Sequence, residues 1–197
     1  LGSLVGQLVE RRLSTVDALL TMVAGQYPGY LPPLGELDKL SADMQRYIML
    51  GRGADILLLL DAKGEVLASN RPELVAQNFA HRYYFREAKA AVNPENRIIS
   101  PPFETVLGEY SFTLSRKLVN PDGEFIGVLM ATVDAPFISR LLAGVLMSKD
   151  MWAALVHGTG VTVLSAPEHR LPNGQDINRP GGFVAAVPAM HGEQRLL

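Results

Sequence analysis

The order of residues predicts a mixed α/β (α+β) fold: a long N-terminal helix packed on an antiparallel sheet, followed by a smaller, incomplete strand module. Three observations carry that expectation. Leu4, Leu8, Val9, Val16, Leu19, Leu20 and Val23 recur at helical spacing through residues 3–24, with Arg11, Arg12 and Asp17 in the gaps. From residue 54 to 133 the apolar period becomes that of strands, punctuated by the turn signals Asp61-Ala62-Lys63-Gly64 and Asn120-Pro121-Asp122-Gly123. Past Lys149 a shorter strand-turn-strand pattern appears, and too few residues follow it to close a sheet of their own.

Each element has a local reason. Gly25 and Pro28 stop the first helix, and the three prolines and two glycines between Tyr27 and Gly35 make a loop. A second helix runs from about Glu36, with Leu37, Leu40, Met44, Tyr47 and Ile48 on one side and Gly51 as its C-terminal cap. Ala54–Leu60 is a continuous apolar strand, and Glu65–Ser69 is its short partner. Asn70–Ala80 reads as loop, Arg82–Ala91 as a short helix and Arg97–Ile99 as a brief strand before Pro101-Pro102. Glu109–Val119 and Glu124–Val133 are strands flanking a turn, and Asp134 with Pro136 opens a helix to about Met147. Trp152–His157 and Val161–Ser165 flank Gly158-Thr159-Gly160, and Ala166–Gly182 is loop-rich.

Composition removes several functions. The chain has 197 residues, 48% hydrophobic and 19% charged, enough for a core and too apolar for a disordered tail. Its net charge of −2 lacks the basic excess of a nucleic-acid binder. Without cysteine there are no disulfides, no thiolate chemistry and no Cys-based zinc sites. No run of eighteen apolar residues spans a membrane. The chain opens at Leu1, so it reads as an excised segment.

Seven of the fourteen aromatic residues lie between Phe79 and Phe112. Among them is Arg82-Tyr83-Tyr84-Phe85, a guanidinium beside three rings. Arginine grips carboxylate or phosphate with a planar fork, and rings around it exclude water and strengthen the bond. The plainer reading is that the rings are core and Arg82 packs on one or caps a helix. In the strand 109–119, Tyr110, Phe112, Leu114 and Leu118 alternate with Ser111, Thr113, Ser115 and Lys117. Such a polar face is either wetted by solvent or roofed by loop 70–108, leaving hydroxyls to line a cavity.

The histidines, His81, His157, His169 and His191, are scattered without metal-ligand spacing, so no metal site is expected. Gly51-Arg52-Gly53 lacks the Lys-Ser/Thr of a phosphate cradle, and no Gly-x-Ser-x-Gly elbow exists. Asp61 reads as a turn residue and Asp134 as an N-cap, so no catalytic constellation assembles.

Three stretches in order carry a family resemblance: Leu59-Leu60-Asp61-Ala62-Lys63-Gly64-Glu65-Val66-Leu67-Ala68-Ser69, Arg82-Tyr83-Tyr84-Phe85-Arg86-Glu87-Ala88, and Ser115-Arg116 through Pro121-Asp122-Gly123-Glu124-Phe125-Ile126-Gly127-Val128. In this order the chain resembles the double Cache (PDC, PAS-like) extracytoplasmic sensor domains of bacterial membrane receptors. The likeness covers residues 1–148 well and the rest weakly. Asp150-Met151-Trp152-Ala153-Ala154-Leu155-Val156-His157-Gly158 looks like the start of the membrane-proximal module of sensors attached to GGDEF-type diguanylate cyclases.

The resemblance implies a helical stalk and second helix over 1–53, a membrane-distal PAS-like sensor module over 54–148 and a partial membrane-proximal module over 149–197. It implies a periplasmic, non-enzymatic domain with flanking membrane spans, no cofactor, and a homodimer through the N-terminal helix. Its partner is a small molecule bearing a carboxylate. In amino-acid-binding relatives an Arg-x-aromatic-aromatic loop holds the ligand carboxylate, matching Arg82, Tyr84 and Phe85. Thr132 falls where those relatives carry an acid for the ligand amine and dicarboxylate sensors carry Lys. Phe103 stands where the amino-acid class prefers a hydroxylated ring. Both departures point from α-amino acids toward a monocarboxylate or another organic anion. The expected site is therefore Arg82, Tyr84, Phe85, Phe103, Ser111, Thr113 and Thr132. A ligand-free dimerisation or protein-contact module of the same fold is the alternative.

Overall fold

Helix α1, Gly2–Ala24, buries Val9, Val16, Leu19, Leu20 and Val23 of the expected stripe and Leu13 besides, while Leu8 is exposed. The computed structural model describes residues 2–51, 53–106, 108, 110–167 and 171–178. His169, His191, Glu109 and the last nineteen positions of the expected 149–197 module lie outside them.

The chain packs as two compact units that are discontinuous in sequence, whereas the residue pattern suggests consecutive divisions near residues 53 and 148. One unit is Leu13–Ser100 with Thr113–Val133; the other is Leu1–Arg12, Pro101–Phe112 and Asp134–Leu197.

The first unit is built on five antiparallel strands. β1 is Ala54–Asp61, β2 Val66–Ser69, β3 Ile98–Ile99, β6 Thr113–Val119 and β7 Phe125–Val133, in the spatial order β2-β1-β7-β6-β3. One face of this sheet offers Leu57, Leu59, Ala68, Leu114, Leu129 and Ala131 to Val16, Leu19, Leu20 and Val23 of α1. Leu40 and Met44 of helix α2, Leu37–Met49, join the same core. Gly51, at φ +68°, takes the left-handed position after α2 that a residue with a Cβ adopts at a cost.

The two turns do what their residues dictate. Asp61 Oδ1 accepts the N–H groups of Lys63 and Glu65 at 2.8 and 2.9 Å, closing β1 onto β2. Asn120 Oδ1 likewise accepts from Asp122 and Glu124, closing β6 onto β7. Helix α3, Tyr83–Ala90, crosses the face of the sheet away from α1 and packs on β3, β6 and β7.

In the second unit, β4 (Phe103–Glu104) pairs antiparallel with β5 (Tyr110–Ser111). Helix α4, Ala135–Gly144, starts at Asp134, whose Oδ1 caps the Phe137 N–H at 2.9 Å and whose Oδ2 receives Arg12 Nη2 at 2.8 Å. β8 (Ala153–Val156) and β9 (Thr162–Ala166) form a two-stranded antiparallel sheet against which α4 packs. α4 ends three residues short of the expected Met147.

The single strand expected over 109–119 is divided. Ser111 pairs with Phe103, while Thr113 pairs with Thr132, so the chain changes partner across Phe112. The alternation of residue types runs on through the change, so the sequence pattern gives no sign of the new neighbour.

Candidate ligand-binding site

Because β6 is pleated, Leu114 enters the α1 core and Thr113 and Ser115 face the other way, beneath α3. Register then assembles a patch: Thr113 lies opposite Thr132, and Ser115 opposite Met130, which in turn lies opposite Leu58. Thr113, Ser115, Thr132, Met130 and Leu58 are all buried. The polar face read from the sequence is therefore roofed by protein.

α3 supplies that roof. Arg82 stands at its N-terminal end in extended conformation, with φ −71° and ψ 147°, and its carbonyl accepts the Arg86 N–H at 3.2 Å. Arg82 is half-buried, and the spacing of the next turn turns Tyr84, Phe85 and Ala88 inward. Burial pushes the Tyr84 phenol well above its ordinary pKa, and the Arg82 charge opposes that rise only in part. The Phe85 ring meets the edge of Phe125 on β7 at 5.8 Å between centroids. Ser115 Oγ lies 3.4 Å from the carbonyl oxygens of both Tyr84 and Ile98, tying β6 to α3 and β3.

The two threonines differ. Thr132 Oγ1 accepts the backbone N–H of Ile56 at 2.9 Å. That bond exists because β1 carries a bulge: Ala54 pairs with Val133 but Leu57 with Ala131, leaving one extra residue on β1. Thr113 has its backbone locked, its N–H donating to Ser100 Oγ and its carbonyl accepting the Ser100 N–H, each at 3.0 Å. Its own hydroxyl is fully buried and has no hydrogen-bond partner among the described residues. A buried hydroxyl left so costs about 1–3 kcal/mol.

Arg82, Tyr84, Phe85, Thr113 and Thr132 thus share one unit. Phe103 and Ser111 stand beside each other across β4 and β5 in the second unit, where Ser111 Oγ donates to the Phe112 carbonyl at 3.3 Å.

Two residues escaped the sequence reading. Asn70 is buried, and it closes the β1 bulge from the β2 side: Oδ1 accepts the Leu57 N–H at 2.7 Å and Nδ2 donates to the Asp55 carbonyl at 3.0 Å. Ser100 holds Thr113 as described. A lone Asn after a strand reads as a turn residue, and its pairing with a bulge thirteen positions earlier leaves no local signal.

The carboxylates Asp61 and Asp134 serve their turn and cap, as their positions suggest. Among the described residues no group of three His, Asp or Glu side chains is placed to hold a metal ion. No described helix is long and apolar enough to cross a membrane.

No protein-family model matches the chain, and no curated protein matches it either. Solved structures do. An extracellular domain assigned to a histidine kinase, rpHK1S-Z16, superposes with a TM-score of 0.76 at 20% identity, over 89% of this chain and 72% of that one. The ligand-binding domain of the Campylobacter jejuni chemoreceptor Tlp3, solved with 4-methylisoleucine, gives 0.65 at 17% identity, over 90% and 71%. The ligand-binding domain of the Pseudomonas aeruginosa amino acid chemoreceptor PctC, solved with GABA, gives 0.65 at 18% identity, over 89% and 76%. Helix order and antiparallel sheet together give this chain the fold of extracellular sensor domains.

Proposed function

We propose that the chain is the extracytoplasmic ligand-sensing part of a transmembrane signalling protein. It binds a small organic anion between α3 and the sheet and passes the event on through its terminal helices. The observation that carries this reading is the Thr113 hydroxyl, fully buried and without a partner among the described residues, on a sheet face roofed by α3. A polar group of a ligand seated there would supply the missing partner and remove that cost. Arg82, at the end of the roof, supplies the charge complementary to a carboxylate, and Tyr84 and Phe85 supply the dry surroundings that strengthen the bond.

The neighbours support the class of ligand. Tlp3 and PctC were solved with 4-methylisoleucine and GABA, both of which bear a carboxylate. This chain departs at Thr132, which offers no charge to a ligand amine, so an anion without an amine is the favoured ligand. Thr113 and Thr132 enter this proposal by register, while Phe103 and Ser111, which belong to the other unit, are carried by the resemblance alone. The sensor module is 54–148, with 149–197 the start of a second one. A homodimer through α1, flanking membrane spans and a periplasmic location complete the reading. The 150–158 stretch favours a diguanylate cyclase as output, and the chain itself performs no catalysis.

A ligand-free contact module of the same fold is the second reading, favoured by the close packing of Phe85 on Phe125. A thermal-shift screen of organic acids, amino acids and amines separates the two, because a ligand that binds only the folded state raises the melting temperature. Sensing requires at least one compound that stabilises the chain and fails on Arg82→Ala. Uniform silence across the screen favours the contact module.

A further inference from the structure

On the other face of the sheet, under the end of α1, lies a cavity of about 280 Å³. Its floor is Val23, Leu40, Leu59 and Leu129, all core residues, and its wall includes Tyr27 and Tyr30, whose rings meet edge to face at 5.9 Å. Ligand pockets span about 300–1,000 Å³, so this one suits a small metabolite and excludes a peptide or nucleotide.

The charges around it are unevenly engaged. Arg116 lines the cavity, and its Nε and Nη2 are held by Asp17 at 2.8 and 3.0 Å. Its remaining amino group, Nη1, pairs with Glu95 at 3.4 Å, and the Glu95 side chain is 81% exposed. An ion pair so exposed contributes little, because water and salt screen it. Lys117 borders the cavity on the same strand, but its ammonium is on the α3 face, held by the Lys89 and Ala91 carbonyls, so Arg116 supplies the positive charge here.

We infer that this cavity is a second small-molecule site, distinct from the one under α3, that takes an amphipathic monocarboxylate. The apolar body rests on the leucine floor beside the tyrosine rings. The carboxylate displaces Glu95 from Arg116 Nη1, exchanging a partner on an exposed side chain for one anchored by its apolar body. A cationic ligand is disfavoured, since Asp17 is already committed to Arg116.

The test is calorimetry with 3-phenylpropionate and its alcohol counterpart, 3-phenylpropan-1-ol, in an Arg82→Ala background that disables the α3 site. The acid binds with one-to-one stoichiometry, and the alcohol binds about tenfold more weakly, the loss of one charge-assisted hydrogen bond. Glu95→Gln, at an exposed position, tightens the acid by about threefold and leaves the alcohol unchanged. Ala24→Phe fills the cavity from the end of α1 and removes both. Methyl resonances of Leu59 and Leu129 report the position independently should Ala24→Phe fail to fold. Absence of acid binding, an affinity indifferent to Glu95→Gln, or shifts at Met130 in place of Leu129 overturns the inference.

Discussion

Arg116 of β6 and Asp17 of α1, ninety-nine positions apart, form a two-pronged ion pair, Nε to Oδ1 at 2.8 Å and Nη2 to Oδ2 at 3.0 Å. Both side chains are mostly covered, at 14% and 20% exposure. The pair fixes the azimuth of α1 on the sheet, a thing that the apolar stripe of Val16, Leu19, Leu20 and Val23 alone leaves free to slide. The Asp17 contact also holds the guanidinium firmly protonated, its pKa raised chiefly by that hydrogen bond.

Removing one member strands the other. Asp17→Ala is expected to destabilise the chain by about 1–3 kcal/mol, and the double variant Asp17→Ala with Arg116→Ala by less than the two single losses added together. Urea denaturation of the four proteins checks this cycle. Strict additivity would mean that the pair contributes nothing beyond its separate side chains.

Asn70→Ala should cost about 2 kcal/mol, because it releases both backbone groups that its amide satisfies at the β1 bulge. The same substitution should speed hydrogen exchange at the Leu57 amide well before the rest of β1. A uniform change along the strand would show that the bulge is held by something else.

How much of this was legible beforehand differs by element, and the differences have physical causes. The α1 stripe, the Asp61 and Asn120 turns, and the Asp134 cap are local: each is written within about four residues, where spacing and side-chain acceptors decide the backbone. The partner change at Phe112, the Asn70 bridge and the Ser100 clasp on Thr113 join residues that are distant in sequence or alike in pattern. Alternation told that Thr113 and Ser115 share a face; it could not tell which strand they would oppose. Thr132 shows the same limit. Its place on the face was foreseen by resemblance, but its bond to Ile56 depends on a bulge that no residue type announces.

Tyr84 makes alkaline stability a reporter of the α3 roof. Its folded pKa is raised by burial above the unfolded value near 10. Folding therefore holds a proton that the unfolded chain gives up, so this contribution is complete below about pH 10 and declines as pH rises beyond it. Denaturation midpoints followed from pH 8 to about pH 11 should fall, and Tyr84→Phe should flatten the fall. An identical slope in the variant would place the loss at Tyr27, Tyr83 or Tyr110, which are also raised.

Arg82→Ala should leave the fold nearly as stable as before, within about 1 kcal/mol, since Arg82 is half-buried at a helix end and the roof is anchored by Phe85 on Phe125. Stabilisation by carboxylates in a melting assay should vanish with it, and Arg82→Lys should restore only part, keeping the charge but losing the fork. Equal responses from Arg82→Ala and the parent chain would remove Arg82 from the site.

The most direct measurement is the melting temperature of Thr113→Val with and without the best carboxylate from the screen. Valine matches the shape of threonine and deletes the unpartnered buried hydroxyl, which should stabilise the empty protein by about 1–3 kcal/mol. If the hydroxyl is kept for a ligand, the same variant loses the ligand-induced rise in melting temperature, so stability and binding move in opposite directions. A Thr113→Val protein that is no more stable than its parent, and that still responds fully to the carboxylate, would contradict the proposed site.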